Sequence, residues 1–271
     1  MFKINNLTYQ YDKTRKALDN VSMDFNKGDI IGIIGSNGSG KSTLFNNLMG
    51  ILKSTEGEIL YNGEQIKYDK KSLYNLRKEV GIVFQDPEKQ IFYSMVYDDI
   101  AFALRNIGMD EKTINDRIHT ALEAVNGLQF IDRPVHNLSF GQKKRVAIAS
   151  VVAMENKLVL LDEPTAGLDP ISTRAIVDII KGLNDRGVKI IISSHDMNLI
   201  YEICDYVYVL NQGVLINEGT RAEVFVNEEK INEAGLELPW LVKLHKNMGL
   251  PLFPKEEDLY SFWNKQAQKT V

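Results

Sequence analysis

Two kinds of hydrophobic periodicity divide the first part of the chain into strands and a helix. Residues 1–66 are mostly strand-like, with short apolar or alternating runs bounded by polar turn residues. The predicted strands are Phe2–Tyr9, Ile30–Ile34 and Gly57–Tyr61, and Asn62-Gly63 predicts a hairpin turn after the last of them. Ile30–Ile34 is apolar throughout and rich in β-branched residues, which is typical of a strand buried on both faces. A glycine-rich loop follows it and leads into a predicted helix from Ser42 to Met49.

Helical periodicity replaces the strand signal over residues of about 86–155. One apolar face in this region is formed by residues three or four positions apart, namely Ile114, Ile118, Leu122 and Val125. Strand signals return at Leu158–Leu161, Ile190–Ser193 and Val207–Leu210, with helical segments between them, and a turn at 211–213 leads into Val214–Asn217. This alternation predicts a parallel sheet with crossover helices, and therefore an α/β fold.

The pattern changes again after Thr220. Thr220 and Glu223 form a capping-box pattern that predicts a short helix. Pro239 predicts the start of another helix, which ends at Gly249 and has Trp240, Leu241, Leu244 and Met248 along one side. A further cluster at helical spacing consists of Leu259, Phe262 and Trp263. We expect a small helical appendage whose apolar faces pack on the main domain or on another subunit.

Composition and charge narrow the class of protein. The chain has 271 residues, of which 44% are hydrophobic and 25% charged, as in ordinary globular proteins. Its net charge of −4 predicts no general attraction to nucleic acid. The single cysteine, Cys204, leaves no internal disulfide and fits a reducing compartment, and we expect it to be a buried thiol. No run approaches the roughly 20 apolar residues of a membrane-spanning helix, and the first residues lack the pattern of a signal peptide.

The most specific motif is a phosphate-binding loop between a predicted strand and a predicted helix. It reads Gly35-Ser36-Asn37-Gly38-Ser39-Gly40-Lys41-Ser42, and Thr43 follows it. The glycines let successive backbone N–H groups point at a phosphate chain, and the helix dipole adds positive potential. Lys41 is expected to reach the β- and γ-phosphates of a nucleoside triphosphate, and the Ser42 hydroxyl is expected to bind Mg²⁺.

Two carboxylates end the next apolar strand, where Leu158–Leu161 continues into Asp162 and Glu163. We expect Asp162 to lie near Mg²⁺ and Glu163 to position or deprotonate the attacking water. Acidic residues often end strands, so this pattern alone is weak evidence. The phosphate loop upstream makes it specific. Triphosphate hydrolysis needs both a metal ion and a group that orients water.

A third motif precedes an apolar helix. The sequence Leu138-Ser139-Phe140-Gly141-Gln142 is followed by Lys143-Lys144-Arg145 and Val146–Ala153. Together with the two motifs above, it resembles the nucleotide-binding subunit of ABC transporters, whose signature reads Leu-Ser-Gly-Gly-Gln. Phe140 replaces the first glycine of that pair. The resemblance implies that two subunits meet head to tail, and that Ser139, Gly141 and Gln142 of one close on the ATP held by the other.

The resemblance extends to several single residues. Tyr11 resembles the aromatic residue that stacks on adenine, with Tyr9 as the competing assignment. Gln85 resembles the glutamine that contacts Mg²⁺, and Asp169 resembles the aspartate of the loop that crosses the dimer interface. His195 resembles the histidine that senses the γ-phosphate. The implied catalytic residues are Lys41, Glu163 and His195, and the implied Mg²⁺ ligands are Ser42, Gln85 and Asp162.

A narrower resemblance concerns energy-coupling-factor transporters, and among these the ATPases of cobalt and nickel importers. It rests on residues 84–92, on the phenylalanine in the signature and on Gly235–Pro239 in the tail. It implies that Asp86, Glu88 and Gln90 lie where a transmembrane coupling subunit docks, with the two carboxylates facing arginines. It also implies that the tail helps to hold an ATPase dimer together.

These observations predict an α/β protein with a P-loop NTPase core. The core combines a mixed, largely parallel sheet with an antiparallel β subdomain and a helical subdomain that includes the signature. We expect an ABC ATPase domain over residues 1–220, with the helical subdomain at about 86–155, and a helical dimerisation appendage over 221–271.

The predicted function is Mg²⁺-dependent ATP hydrolysis that powers an importer from the cytoplasmic face of the cell membrane. The expected partners are a second ATPase subunit, identical or different, a transmembrane coupling subunit and a substrate-binding membrane subunit. The expected cargo is cobalt, with nickel or a vitamin as alternatives. A soluble ABC-type ATPase acting on DNA or ribosomes is disfavoured because no long coiled coil separates the phosphate loop from the signature. A small-molecule kinase would not explain the signature or His195.

Overall fold

The structure, a computed structural model, describes residues 1–12 and 15–267, so the last four residues of the predicted appendage lie outside it. The strands are β1 (Phe2–Gln10), β2 (Lys16–Asp24), β3 (Ile30–Ile34), β4 (Glu56–Tyr61), β5 (Glu64–Gln65), β6 (Val80–Val83), β7 (Leu158–Asp162), β8 (Lys189–Ser194), β9 (Tyr206–Asn211) and β10 (Val214–Thr220). The helices are α1 (Lys41–Leu48), α2 (Lys70–Glu79), α3 (Val96–Asn106), α4 (Glu111–Ala124), α5 (Phe140–Ala153), α6 (Pro170–Asp185), α7 (Met197–Ile203), α8 (Arg221–Val226), α9 (Glu228–Glu233), α10 (Trp240–Met248) and α11 (Glu256–Ala267). None of the helices in the described ranges is both long enough and apolar enough to cross a bilayer.

The first sheet is antiparallel and has the order β2-β1-β4-β5. The predicted hairpin turn joins β4 to β5, and both of its residues have positive φ, 53° at Asn62 and 85° at Gly63. The sequence did not single out β2 as a strand. Its buried residues Leu18, Val21 and Met23 are spaced three and then two apart, because the register against β1 shifts along the pair and breaks the alternation.

The second sheet has six strands in the order β10-β9-β3-β8-β7-β6. All neighbouring strands in it are parallel except β10, which is an antiparallel edge strand, so the predicted mixed, largely parallel sheet is confirmed. Ile34 of β3 is paired with Ser194 of β8, and Asp162 of β7 is paired with Ser193. The carboxyl ends of these three strands therefore meet at one edge, where α/β sheets usually bind ligands.

Hydrophobic side chains cover both faces of this sheet. Alternate residues of the central strands belong to two different clusters: Ile30 and Ile34 face one, and Ile31 and Ile33 face the other. The first cluster joins the sheet to α3, α4 and α5, and the second joins it to α1 and the antiparallel sheet. Burial on both faces explains why these strands are apolar throughout.

The region of about 86–155 is helical, as predicted. Its predicted apolar face is buried, since Ile114, Ile118, Leu122 and Val125 are fully inaccessible. The preceding helix α2 and strand β6 were not predicted. Helix α2 buries one residue, Leu76, and so lacks an apolar stripe, and β6 is only four residues long.

The tail packs on the first hydrophobic cluster through residues of α8, α9, α10 and α11. Thr220 and Glu223 form the predicted capping box, and Gly249, with φ 65°, ends α10 as predicted. The buried face of α10 differs from the predicted stripe. Leu241 and Val242 are buried, whereas Trp240 and Met248 are exposed. The burial of Cys204 is confirmed, and this burial raises the pKa of its thiol.

Candidate functional site

The phosphate loop connects β3 to α1, in the strand–loop–helix context that the sequence predicts. Its tight course depends on glycine at two positions in particular. At Gly35, φ is 156°, and a Cβ would lie 2.3 Å from the carbonyl oxygen of Leu210. At Gly40, φ is 109°, and a Cβ would lie 2.6 Å from the carbonyl oxygen of Ala17. A larger residue at either position would displace the neighbouring backbone, so the loop is built around these glycines.

Lys41 lies folded back over the loop. Its Nζ donates hydrogen bonds to the carbonyl oxygens of Gly35 (2.7 Å) and Ser36 (3.1 Å), and it lies 3.7 Å from Oε1 of Glu163. Burial lowers the pKa of Lys41 below its usual value, against the opposing effect of the Glu163 charge. The ammonium group is thus held by weak acceptors at the place where a phosphate chain would offer stronger ones.

Strand β8 fixes the Asp162 carboxylate and the backbone of Glu163 at the end of β7. The Ser193 hydroxyl donates to Oδ1 of Asp162 at 2.5 Å, and it accepts a hydrogen bond from the backbone N–H of Glu163 at 3.0 Å. The same N–H also donates to the carbonyl oxygen of Ser193 at 3.1 Å. Ser193 was not among the predicted site residues. Its role depends on the β7–β8 register, for which the sequence carries no local signal.

Glu163 and His195 form a close pair. Nδ1 of His195 lies 2.7 Å from Oε2 of Glu163, and the backbone N–H of His195 donates to the same oxygen at 3.3 Å. The other carboxylate oxygen, Oε1, is buried and accepts no hydrogen bond from the residues that the structure describes. Oε1 is therefore the atom available to a water molecule or another donor, while Oε2 is oriented by His195.

A cavity of about 580 Å³ opens over the phosphate loop. It is lined by Tyr11, Asp12, Arg15, Ala17, Asn37, Gly38, Gly40, Lys41, Ser42, Thr43, Gln85 and Glu163. Tyr11 is 63% exposed, and its hydroxyl lies 3.2 Å from Oγ1 of Thr43. Tyr9 is partly buried and packs edge-on against Tyr11, with ring centroids 5.0 Å apart, but does not line the cavity. This geometry favours Tyr11 over Tyr9 as the adenine-stacking residue.

Arg15 lines the cavity although the sequence did not mark it. It lies in the segment that connects β1 to β2, and the packing of the antiparallel sheet against α1 brings this segment to the cavity. Nothing in the local sequence predicts that approach.

The donor set around the cavity suits Mg²⁺. Ser42 and Gln85 line the cavity with a hydroxyl and an amide oxygen, and the Asp162 carboxylate is held at the end of β7. Within the described ranges there is no cluster of three or more His, Cys, Asp or Glu residues that could hold a metal ion by itself. Mg²⁺ takes hard oxygen ligands and commonly shares them with water and substrate phosphates, so such a sparse oxygen set fits it.

The signature residues lie at the start of α5. Ser139 is the N-cap: its Oγ accepts a hydrogen bond from the N–H of Gln142 at 3.3 Å, and Oε1 of Gln142 accepts one from the N–H of Ser139 at 2.9 Å. The spacing of serine and glutamine matches a capping box, which was not among the features predicted for this segment. Phe140 is the first residue of the helix, so its replacement of glycine leaves the helix start intact. Ser139, Gly141 and Gln142 do not line the cavity of their own chain.

Other predicted interaction residues already have contacts within the chain. Asp169 caps α6 by accepting hydrogen bonds from the backbone of Ile171 and Ser172, and the Ser172 bonds lower the pKa of Asp169. Gln90 uses both ends of its amide, accepting from the N–H of Phe84 and donating to the carbonyl oxygen of Ala147, each at 3.1 Å. Gln90 therefore connects the segment after β6 to α5, and its docking role stays a prediction.

The two predicted docking carboxylates lie in the same segment. Oδ1 of Asp86 accepts a hydrogen bond from the N–H of Glu88 at 3.0 Å and so caps a short turn over Pro87–Lys89. Oε1 of Glu88 lies 2.5 Å from Nζ of Lys143 on α5. Glu88 thus connects the segment to α5, Asp86 stabilises the turn itself, and the Glu88 carboxylate is largely exposed.

The chain is similar to ATP-binding proteins of transporters. The pattern of the ABC transporter family matches residues 18–166. The cobalt import ATP-binding protein CbiO of Salmonella typhimurium is 45% identical over 98% of the chain and 98% of its own length. The energy-coupling factor transporter ATP-binding protein EcfA of Methanocaldococcus jannaschii is 45% identical, covering 88% of this chain and 85% of its own. Among solved structures, cbiO1 of Clostridium perfringens, part of the ABC transporter complex cbiONQ, aligns with a TM-score of 0.77 and 41% identity over 90% of this chain and 98% of its own.

Proposed function

The chain belongs to the ABC transporter family of ATP-binding proteins, and we propose that it hydrolyses ATP to power an importer of the energy-coupling-factor type. The observation that supports this most directly is the meeting of Lys41, Glu163 and His195 at one edge of the parallel sheet. A buried cation beside a carboxylate with one unbonded oxygen supplies both phosphate binding and water activation.

Hydrolysis transfers the terminal phosphoryl group of ATP to water. Lys41 exchanges the loop carbonyls for the β- and γ-phosphate oxygens. Oε1 of Glu163 takes a proton from the attacking water as its oxygen bonds to the γ-phosphorus and the bond to ADP breaks, while His195 holds the carboxylate through Oε2. Ser42, Gln85 and Asp162 would hold Mg²⁺, which, when bound, neutralises charge on the phosphates.

Two copies of the chain, or one copy and a related ATPase, complete the site. Ser139, Gly141 and Gln142 do not line the cavity of their own chain, and they lie at the N-terminus of a helix, which favours anions. Both observations support the proposal that they contact ATP held by a partner. We propose that residues 1–220 form the ATPase domain and that the appendage over 221–271 supports the dimer. The exposed aromatic side chains Trp240, Tyr260 and Trp263 support a role of the appendage in contact with another subunit.

A transmembrane coupling subunit is the proposed docking partner. Phe92, Tyr93 and Phe102 form an exposed aromatic patch, with the Tyr93 and Phe102 rings 5.4 Å apart. The patch directly follows the acidic turn that contains Asp86 and Glu88. An apolar patch beside exposed negative charge fits a helix that presents apolar and basic residues.

Docking is tested by co-expressing the chain with the coupling subunit and the substrate-binding subunit and purifying the complex. Because Asp86 also caps a turn, the variant combines Asp86→Asn, which keeps an acceptor, with Glu88→Lys. We expect recovery of the complex to fall at least about tenfold while basal ATP hydrolysis stays within about twofold. The matched control is Glu56→Gln with Glu64→Lys, which changes the net charge by the same amount on exposed positions of the antiparallel sheet. Unchanged recovery of the complex with the docking variant would contradict the assigned surface.

The proposed cargo is cobalt, with nickel or a vitamin as alternatives, and the proposed location is the cytoplasmic face of the cell membrane. Cobalt import is named for a relative that is 45% identical over nearly the whole chain. The four histidines and one cysteine of this sequence form no soft-ligand cluster, so the metal would be recognised by a membrane subunit. Uptake of labelled cobalt, nickel and vitamins by cells carrying the complex distinguishes the cargoes. Cobalt uptake abolished by Glu163→Gln is the expected result, and uptake of a vitamin alone would contradict the metal assignment.

A further inference from the structure

Lys144 is a lysine with no access to solvent, in the second turn of α5. Its Nζ donates a hydrogen bond to the backbone carbonyl oxygen of Glu163 at 3.0 Å. The carboxylates of Asp162, Glu163 and Asp86 act on its charge, and the Phe140 ring lies 5.9 Å from the ammonium group. Burying an ammonium group is costly unless it is paired, so the fold retains this cation against an appreciable penalty.

The residue that Lys144 holds has an unusual backbone conformation. Glu163 has φ 47°, in the left-handed region that residues other than glycine rarely adopt. Such a conformation persists when the surroundings hold it, and it often occurs at functional sites. Both backbone groups of Glu163 are held here. Ser193 holds the N–H, and the carbonyl accepts from Lys144 and, at 3.2 Å, from the backbone N–H of Ala166, so Lys144 supplies the charged donor of the two. This backbone position sets where the carboxylate lies relative to His195 and the cavity.

We propose that Lys144 is a positioning residue for ATP hydrolysis, which fixes the backbone of Glu163 so that its carboxylate points at the attacking water. The inference rests on the proposed role of Glu163 as the proton acceptor. Helix α5 begins at the signature, and Lys144 follows Ser139 by five positions. The same helix therefore contacts this chain's own Glu163 and carries the donors proposed to meet a partner's nucleotide.

The neighbouring lysine offers a matched control. Lys143 is on the same helix, but it pairs with a carboxylate at the surface, that of Glu88, instead of a backbone carbonyl in the interior. Methionine replaces either lysine with a flexible apolar side chain of similar length, which removes the charge and the N–H donors. Replacing a buried charge by an apolar residue of similar volume is often tolerated by the fold.

The experiment measures steady-state ATP hydrolysis, ATP binding and thermal unfolding for Lys144→Met and Lys143→Met. For Lys144→Met we expect kcat to fall about tenfold to a hundredfold and KM for ATP to stay within about twofold, because a charged hydrogen bond that orients the base is lost without loss of phosphate contacts. For Lys143→Met we expect both constants within about twofold. Lys144→Gln keeps an N–H donor on a shorter stem and is the test variant if Lys144→Met does not fold. It should also hydrolyse ATP several-fold more slowly than wild type.

A double-variant comparison separates positioning from a structural role. In a Glu163→Gln background, single-turnover hydrolysis should change less than about twofold when Lys144→Met is added, because the base that Lys144 orients is already absent. The inference would be overturned if the Lys144 variants had the kcat of wild type. It would also be overturned if Lys144→Met slowed hydrolysis by the same factor in the Glu163→Gln background as in wild type. If Glu163→Gln alone hydrolysed ATP at the wild-type rate, the proposed role of Glu163 would fail instead.

Discussion

Replacing Glu163 by glutamine tests the proposed proton acceptor with little disturbance of the fold. The glutamine amide oxygen can take the place of Oε2 and accept hydrogen bonds from the backbone N–H of His195 and from an imidazole protonated at Nδ1. The amide NH2 then takes the place of Oε1, which accepts no hydrogen bond within the described residues, and an NH2 group cannot accept the proton of the attacking water. The substitution therefore removes the base and one buried negative charge and retains the shape of the site.

The expected loss of hydrolysis follows from the chemistry of the base. A positioned general base contributes about 10²–10⁴ in rate, which corresponds to about 2.7–5.4 kcal/mol of activation free energy.

The affinity for ATP should not fall with the rate of hydrolysis. Glu163 lies 3.7 Å from the Lys41 ammonium and competes with the phosphates for it, so removal of its charge should leave the ATP affinity unchanged or higher.

The assay measures phosphate release at saturating ATP and, separately, the equilibrium binding of ATP to wild type and Glu163→Gln. A control variant, Glu155→Gln, removes an exposed carboxylate that pairs with Arg117 and should leave both quantities within about twofold. Phosphate release within tenfold of wild type, or a clear loss of ATP affinity in Glu163→Gln, would refute the assigned role.

Three further substitutions have expected outcomes that follow from local geometry. Gly40→Ala should lower the free energy of unfolding, measured by denaturant titration, by about 2 kcal/mol or more, because its φ of 109° and a carbonyl oxygen 2.6 Å from the new Cβ both disfavour alanine. The control Gly38→Ala, at φ 79° in open space, should lower it by about 1 kcal/mol. Tyr11→Ala should weaken ATP binding about fivefold to a hundredfold through loss of adenine stacking, and an equal or larger loss with Tyr9→Ala would contradict the assignment. Burial raises the pKa of Asp99 above its ordinary 3.8, so the folded protein binds this proton more tightly than the unfolded chain. The difference in free energy of unfolding between wild type and Asp99→Asn should therefore fall as the pH rises from 3.8 through the raised pKa. Denaturant titrations in which this difference rises over the same pH range would contradict the raised pKa.

The sequence predicted the parts of the site that depend on local pattern. The phosphate loop, Asp162, Glu163 and His195 each follow a buried apolar strand, and parallel strands place such residues at one edge of a sheet. The capping box at Thr220 and the glycine that ends α10 were predictable for the same reason. Each of these signals is contained within a few consecutive residues.

The parts that were not predicted depend on how distant segments meet. Ser193 contacts Asp162 because of strand register, and Arg15 reaches the cavity because one sheet packs against a helix. Lys144 contacts Glu163 because α5 packs on the parallel sheet through the first hydrophobic cluster. The two hydrogen bonds of the Gln90 amide are of the same kind, since sequence spacing does not reveal them. The docking role of Gln90 stays a prediction.

The central claim is that ATP is hydrolysed at a site shared by two chains, and subunit mixing tests it most directly. One chain carries Lys41→Ala and the other Ser139→Arg, and each alone should be inactive. Mixed dimers contain one site with both residues intact, so an equal mixture should recover up to about a quarter of the wild-type activity when chains pair at random. If mixed dimers form, as shown by two different affinity tags, and activity stays at zero at every mixing ratio, the shared site is contradicted.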